Sequence, residues 1–349
     1  MEVLKIRPYQ LLCMICSFGE SDFVGADEKL KEILAKIREF PSRPIMLNCN
    51  AGDVFAYQDP GIKDDTIQGS EFNRRRDLEI LHKLDLMPGA ILPARIILFR
   101  IFDKIKTVSN ICGFEEINSN GWRGCEKAKK GYYEKAIQNV LAGNPSCGRD
   151  FYKLLKEGKY SIIIERKEEE LDKEKKKSLE EMFKAEEISV RPHILLCAVE
   201  QYAEGLRPPY RNDNLPEMLQ YVIKNPNLKI KLTQAADWMM CAPCPGRDPG
   251  LNACVHTKGH GGLANQLRDL RVLQKLGLKY GAGMKAKDLY KLIFEKIRTT
   301  NEICALEGIF PSVWESGCGV NNLNWTKEGK ENEEYKKGRE MLMDALGIK

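Results

Sequence analysis

The stretch "NRRRDLEILHKLDLMPGA" (73–90) decides the fold because the chain contains it twice: residues 265–282 read "NQLRDLRVLQKLGLKYGA". The match continues without a gap to Cys112 and Cys304, and 18 of the 40 aligned positions are identical at a constant offset of 192. Self-similarity over this length indicates a tandem duplication, in which each copy forms the same order of elements.

A second pair of matching segments lies upstream, where "IRPYQLLC" (6–13) and "VRPHILLC" (190–197) share five of eight residues. We therefore divide the chain into a first repeat (1–145), a charged helical linker (146–187) and a second repeat (188–349). In the linker, 17 of the 23 residues from 165 to 187 are charged. This composition indicates a solvated connecting helix, and a helix that binds a partner is the alternative.

Each repeat shows helical periodicity together with one short segment that is typical of a strand. The predicted helices cover 77–86 and 94–106 in the first repeat, and 269–278 and 286–298 in the second. The predicted strands are "RPIMLNC" (43–49) and "LKIKLTQ" (228–234). One strand cannot form a sheet alone, so we expect the two strands to pair across a pseudo-twofold axis between the repeats. The expected fold class is α+β and mainly helical.

The composition is that of a globular protein with nearly balanced charge, since 55 basic residues stand against 50 acidic residues in 349. No basic stripe with interleaved aromatic residues occurs, so we expect no nucleic-acid partner. No apolar run reaches the ~20 residues that cross a bilayer, and the N-terminus does not read as a signal peptide. We therefore expect a cytoplasmic protein that has no membrane partner. Twelve cysteines in such a chain favour metal binding or redox chemistry over disulfides.

The densest group of cysteines is "CAPCPGRDPGLNAC" (241–254), in which Cys241, Cys244 and Cys254 have the spacing C-x2-C-x9-C. Cysteine thiolates hold iron–sulfur clusters, and the prolines and glycines of this loop let the backbone pass close to a bulky group. Zinc is the rival, because His256 and His260 provide further ligands for a mixed site. A redox dithiol is the third reading, although it lacks the strand-to-helix context of such a pair.

Three motifs of the second repeat resemble a known family. The segments "RPHILLC" (191–197), "DWMMCAPCPG" (237–246) and "WESGC" (314–318) are similar to the motifs of iron–sulfur-binding proteins catalogued as domain of unknown function 1284. The resemblance covers most of the second repeat and implies a cluster, but it implies no particular reaction. Members of that family mostly carry one copy of the domain, whereas this chain carries two.

The resemblance implies that Cys241, Cys244 and Cys254 bind the cluster, with Cys197 as the fourth ligand. Cys304 and Cys318 match the two ends of the family's closing motif. This sequence departs from the family at two places: Leu306 stands where the closing motif has its second cysteine, and His193 stands alone where the family has two histidines.

Two further residues are candidates for cofactor binding, His193 and Asp237. His193 lies four residues before Cys197, so a helix would place both on one face. Its imidazole would donate to a cluster sulfur or act as an acid there, and a structural histidine is the alternative. Asp237 opens the cysteine loop.

The first repeat has lost the loop cysteines, since Tyr57 and Asp59 stand about where they would be, but it keeps two others. Cys112 and Cys125 correspond to Cys304 and Cys318, and these four residues would form a second cluster or metal site where the repeats meet. Alternatively, each pair is a local structural feature, or Cys304 and Cys318 complete the site of the second repeat. Two more cysteines of the first repeat are expected to be small buried hydrophobic residues, Cys16 and Cys49.

These observations predict a protein that binds a [4Fe–4S] cluster and acts in electron transfer with a redox partner protein. Four cysteine ligands favour this reading, because a catalytic cluster often leaves one iron open to substrate. An iron–sulfur enzyme with a small-molecule substrate between the repeats is the second hypothesis, and a zinc-stabilised interaction module is the third. Whether the protein is an enzyme stays open at the level of sequence.

Overall fold

A computed structural model of the chain describes residues 2–21, 23–49, 66, 68–113, 122–141, 166–203, 205–206, 213–244, 246–250, 252–254, 262–304 and 333–348. The described residues fall into two compact units. Residues up to 141 belong to the first unit and those from 166 onward to the second. Both units are α+β and mostly helical, as predicted.

The first unit alternates short strands with helices. Its elements are β1 (Leu4–Ile6), α1 (Pro8–Ser21), α2 (Glu28–Glu39), β2 (Pro44–Leu47), α3 (Ser70–Leu84), β3 (Ile91–Pro93), α4 (Ala94–Lys104), α5 (Ser109–Cys112), α6 (Glu126–Lys129) and α7 (Tyr132–Leu141). Strand β2 is the middle strand of a three-stranded sheet, parallel to β1 and antiparallel to β3.

The second unit repeats most of this order, with one additional helix at its start and further elements in the cysteine loop. Its elements are α8 (Glu168–Lys184), β4 (Glu187–Val190), α9 (Pro192–Tyr202), α10 (Leu215–Lys224), β5 (Lys229–Leu232), α11 (Trp238–Cys241), β6 (Arg247–Asp248), β7 (Ala253–Cys254), α12 (Leu263–Leu276), β8 (Gly283–Lys285), α13 (Ala286–Lys296), α14 (Asn301–Cys304) and α15 (Glu333–Ala345). Strand β5 is the middle strand, parallel to β4 and antiparallel to β8.

Each unit contains a three-stranded sheet, so the prediction of one strand per repeat is wrong. The two predicted strands exist as β2 and β5, but they do not pair with each other as expected, because each has both of its edges occupied within its own unit. The missed strands β1, β3, β4 and β8 have only three or four residues each. Segments this short show no readable alternation, and they are strands only because a central strand supplies their hydrogen bonds.

Two segments are most similar between the repeats, and within each unit a buried ion pair joins them. Nε of Arg7 donates to Oδ2 of Asp77 at 2.7 Å, and Nη2 of Arg191 donates to Oδ2 of Asp269 at 2.6 Å. In both units the other carboxylate oxygen accepts the backbone N–H of the second helical residue, Tyr9 or His193. We call this arrangement the Arg–Asp clamp. It ties the start of α1 to α3 and the start of α9 to α12, which explains why both motifs persist in both copies.

Each unit has its own hydrophobic cluster. In the first unit α1 is buried along most of its length and packs against α7. Gly19 lies where these helices cross, and a Cβ atom there would overlap the carbonyl oxygen of Tyr132. In the second unit α9 packs against α15, and Gly338 meets the carbonyl oxygen of Val199 in the same way. Both helix pairs therefore depend on a residue without a side chain.

The charged segment that was expected to be a solvated linker forms helix α8 and packs on the second unit. Leu171, Ser178 and Met182 are buried along one face of this helix. The Ser178 hydroxyl accepts a hydrogen bond from Nδ2 of Asn214 at 2.8 Å, and Nε1 of Trp238 donates to Glu181 at 2.6 Å. One apolar stripe is enough to dock a helix whose other faces are charged.

Among the residues that the structure describes, none of the helices combines the length and the apolar composition needed to cross a bilayer.

Candidate metal centre

The cysteine loop of the second unit is shaped by a one-turn helix and a small hairpin. Asp237 caps α11, since its Oδ1 accepts the N–H of Met240 at 2.8 Å, and the helix ends at Cys241. The N–H of Cys244 then donates to the carbonyl of Cys241 at 3.0 Å. Strands β6 and β7 pair Arg247 with Cys254, which brings the third cysteine back to the loop.

Cys241 interacts electrostatically with the other two cysteines of the loop. Burial raises the pKa of Cys241 well above its usual value, and the neighbouring Asp237, Cys244 and Cys254 raise it further. Arg191 acts in the opposite direction. The loop therefore places Cys241 within electrostatic range of two further thiols, one carboxyl group and one guanidinium. In the absence of a metal, Cys241 is a neutral thiol at neutral pH.

Asp237 is itself unusual, because it is buried beside these thiols. Burial raises its pKa to about 7, although the N–H groups of Met240 and Met239 and the charge of Arg191 lower it. Its Oδ2 has no hydrogen-bond partner among the described residues. The group therefore holds a proton over part of the neutral range. The structure places this predicted cofactor-binding residue at the loop.

Arg191 connects the loop to His193 through the Arg–Asp clamp. Its guanidinium donates to Asp269 and interacts electrostatically with Cys254 and Cys241. Nδ1 of His193 lies 2.6 Å from Oδ1 of the same carboxylate. Burial raises the pKa of Asp269, but His193 and Arg191 outweigh it and hold that pKa below its usual value. His193 is therefore a buried imidazole oriented by a carboxylate.

Helices α8 and α12 support the loop from outside. Nη1 of Arg166, just before α8, donates to the carbonyl of Ala242 at 2.9 Å. At the start of α12, Nδ2 of Asn265 donates to Sγ of Cys254 at 3.3 Å. Gly262 precedes α12 with φ +79°, and a Cβ atom there would overlap the carbonyl oxygen of Cys254. Sequence analysis missed these supports because they come from distant parts of the chain.

The remaining predicted ligands of the second repeat lie in helices or outside the described residues. Cys197 lies in α9 and interacts with Tyr290, while Cys304 ends α14 and interacts with Tyr335. Cys197 as the fourth ligand stays a prediction. Three predicted ligands lie outside the described residues: Cys318, His256 and His260. Across the part of the chain that the structure covers, no three His, Cys, Asp or Glu side chains are placed to hold a metal ion.

In the first unit the structure brings Cys112 and Cys125 together. The N–H of Cys125 donates to the carbonyl of Cys112 at 2.9 Å, and both thiols interact with Cys13 and Cys16. Cys16 and Cys49 are buried as expected. Sequence analysis missed the grouping of Cys13 and Cys16 with the other pair. Their spacing of three residues in a helix was the available signal. A site that Cys112 and Cys125 share with Cys304 and Cys318 stays a prediction.

No family model matches this chain, and no curated protein or solved structure matches it significantly.

Proposed function

We propose that the protein binds one [4Fe–4S]-type cluster in the second unit and acts as a redox or electron-transfer component. The observation that supports the proposal is that Cys241 interacts electrostatically with Cys244, Cys254 and Arg191 in one loop. Thiolates are the usual ligands of iron–sulfur clusters, and a thiolate-bound cluster is anionic. The buried guanidinium of Arg191, which interacts with Cys241 and Cys254, supports such a centre because it compensates negative charge.

Within this proposal, Cys241, Cys244 and Cys254 hold the cluster and Cys197 completes the ligand set. A bound cluster would supply reversible one-electron chemistry. Asn265 orients Cys254 through its N–H group, and Arg191 supplies positive charge from the Arg–Asp clamp. Burial raises the pKa of Asp237 to about 7, so this group holds a proton next to Cys241 over part of the neutral range. Electron transfer requires a redox partner protein, and a chain with twelve cysteines and no secretory features suits the reducing cytoplasm.

Anaerobic purification followed by iron, sulfide and zinc analysis tests the cluster. We expect a coloured protein with iron and acid-labile sulfide in equal amounts. Cys241→Ser should remove the cluster of the second unit, whereas Cys49→Ser, a buried cysteine of the other unit, should leave it intact. A colourless protein with stoichiometric zinc would establish the zinc-stabilised module instead. Cys197→Ser decides the fourth ligand, since loss of iron in this variant identifies it as one.

An iron–sulfur enzyme is the second candidate function, and the His193–Asp269 pair favours it. A carboxylate that holds one imidazole nitrogen fixes the tautomer and directs the other nitrogen, an arrangement common in acid–base catalysis. Such an enzyme would bind its small-molecule substrate at an open iron. Adding cyanide to the reduced protein separates the two candidates. A shifted electron paramagnetic resonance signal would indicate an open iron, and an unchanged signal supports electron transfer.

The arrangement of the two repeats about a pseudo-twofold axis also belongs to this proposal. The shared element order and the shared sheet topology support a common ancestry of the units. A crystal structure of the full chain would test the axis directly.

A further inference from the structure

The N-terminal end of the charged helix α8 contacts the cysteine loop through polar side chains. Nη1 of Arg166, just before the helix, donates to the carbonyl oxygen of Ala242 at 2.9 Å, within the C-x2-C segment. The same guanidinium pairs with Glu174, two turns further along the chain. We call residues 166–174 the strap. It ties the first part of the cysteine loop to α8.

Glu174 also connects the strap to the second part of the loop. Its Oε2, which pairs with Arg166, lies 3.5 Å from Nη1 of Arg247 in β6. Nε and Nη2 of Arg247 donate to Oδ1 of Asn252 at 3.3 Å and 3.1 Å, inside the hairpin that ends at Cys254. One carboxylate therefore holds two guanidiniums, and each guanidinium holds a different part of the loop.

These ion pairs stay in contact with solvent. The side chain of Glu174 is 21% exposed, and those of Arg166 and Arg247 are 10% exposed. The Arg–Asp clamps differ, because their side chains are almost completely buried. Salt screens ion pairs that water reaches much more than buried ones. The contacts of the strap can therefore break while the clamps stay formed.

The two ends of α8 are held in different ways. Met182, near the C-terminal end, is fully buried and belongs to the hydrophobic cluster of the second unit. At the N-terminal end Leu171 is buried, and the contacts with the loop are polar. Lys167 stands at the N-cap and makes no side-chain capping hydrogen bond with the described part of the chain. A helix end without a cap is less stable, so α8 opens first at the strap.

We propose that the strap is an opening cover of the cysteine loop, fastened by Glu174, and that its release makes the loop thiols accessible to metal ions and thiol-reactive molecules. Release is a local unfolding of the first two turns of α8, during which Met182 stays in the hydrophobic cluster. The inference concerns the metal-free thiols, so it holds whether or not the loop takes a cluster.

Release should act most strongly on Cys241. This residue ends α11, and α11 packs against α8. The cysteines of the loop are partly exposed in the closed state, so opening changes their rate of reaction. Burial raises the pKa of Cys241 well above its usual value. Exposure brings this pKa down and increases the fraction of thiolate, which is the reactive form.

Alkylation of the reduced, metal-free full chain with iodoacetamide tests the strap. Mass spectrometry of the peptides gives the rate for each cysteine in the wild type and in Glu174→Gln. We expect alkylation of Cys241 to become about tenfold faster, because loss of one charged hydrogen bond shifts an opening equilibrium by about that factor. The rate of Cys304, buried in α14 of the same unit, should not change.

Two outcomes of this experiment would overturn the proposal. The first is an equal rate for Cys241 in the wild type and in Glu174→Gln. The second is an equal acceleration of Cys241 and Cys304, which would mean that the whole unit opens. Iron and sulfide analysis of the wild type remains the separate test of the cluster, so failure of the strap and failure of the cluster are distinguishable.

Glu180→Gln is the matched control, because it removes the same charge from an exposed position of the same helix. Its rate for Cys241 should stay within about twofold of the wild type. Salt supplies an independent comparison, since iodoacetamide is uncharged. About 1 M KCl should accelerate alkylation of Cys241 in the wild type more than in Glu174→Gln, where the ion pair is already broken. Equal responses of these two proteins to salt would contradict the role of Glu174.

Hydrogen exchange distinguishes release of the strap from loss of the whole helix. In Glu174→Gln the amides of residues 168–174 should exchange faster than in the wild type, whereas those around Met182 should keep their protection. Loss of protection along all of α8, or unchanged protection at 168–174, would refute an opening that starts at the strap.

Discussion

Asp77 and Asp269 occupy the same place in the two clamps, yet their pKa values move in opposite directions. Burial raises the pKa of Asp77 to about 6, although Arg7 and the N–H of Tyr9 lower it. Burial also raises the pKa of Asp269, but the imidazole of His193 and the charge of Arg191 hold it below its usual value. The difference lies in one residue, since an imidazole bonds the carboxylate where a tyrosine ring does not.

His193→Tyr should therefore convert the second clamp into a copy of the first. In the wild type, the contribution of Asp269 is present above its unfolded pKa and is lost as pH falls through its lower folded pKa. In the variant, we expect the folded pKa of Asp269 to rise toward that of Asp77, about 6. At pH 7 the free energy of unfolding of the variant should be lower by about 2 kcal/mol, the typical contribution of one hydrogen bond to a charged group.

That loss should shrink as the pH falls from about 6 to about 4, because the folded variant then takes up a proton that the unfolded chain does not yet bind. Denaturant unfolding of the metal-free wild type and variant at several pH values measures this loss of stability. The reciprocal Tyr9→His is the control and should lower the pKa of Asp77. A loss of the same size at pH 5 and pH 7 would contradict the explanation.

At the scale of the element, the fit between helices is set by glycines at their crossings. Gly19 lies against the backbone of Tyr132 at the crossing of α1 and α7. Gly338 lies against the backbone of Val199 at the crossing of α15 and α9. Backbone atoms cannot rotate away as a side chain can, so a methyl group at either position must push the two helices apart.

Gly19→Ala should destabilise the first unit by about 3 kcal/mol, at the upper end of the usual cost of overpacking. Gly25→Ala is the matched control, because a Cβ atom there meets nothing closer than Oγ of Ser21 at 3.6 Å. Its effect should stay within about 0.5 kcal/mol. Thermal and denaturant unfolding measure both variants. Equal stability of the two would show that α1 and α7 separate at little cost.

For the whole molecule, the duplication supplies two separate hydrophobic clusters and equivalent positions within them. Ile97 in α4 and Leu289 in α13 correspond in the repeat, and both are fully buried. Ile97→Ala and Leu289→Ala should each cost about 3 kcal/mol, a typical value for such truncations. Hydrogen exchange should show that each variant lowers the protection of its own unit. Equal losses in both units from either variant would mean that the chain unfolds as a single cooperative body.

Sequence reasoning found what local patterns encode and missed what depends on distant partners. Helices α3, α4, α12 and α13 and strands β2 and β5 follow from periodicity and repetition. The placement of Cys241, Cys244 and Cys254 in one loop follows from their spacing within fourteen residues. The outer strands exist only through pairing, and the interaction of Cys112 with Cys13 needs α1 and α5 to lie close together. Such contacts leave no periodic trace, so neither could be predicted.

The Arg–Asp clamp also has a consequence for how the chain reaches its native state. A polypeptide with two copies of one clamp presents two acceptors, Asp77 and Asp269, to each of two helix starts. Exchange of equivalent segments is a characteristic misassembly of repeated sequences. The bond from Nδ1 of His193 to Asp269 distinguishes the correct partner from its copy, because the Tyr9 segment cannot make it. We therefore expect this imidazole to favour the correct pairing at Asp269 during folding.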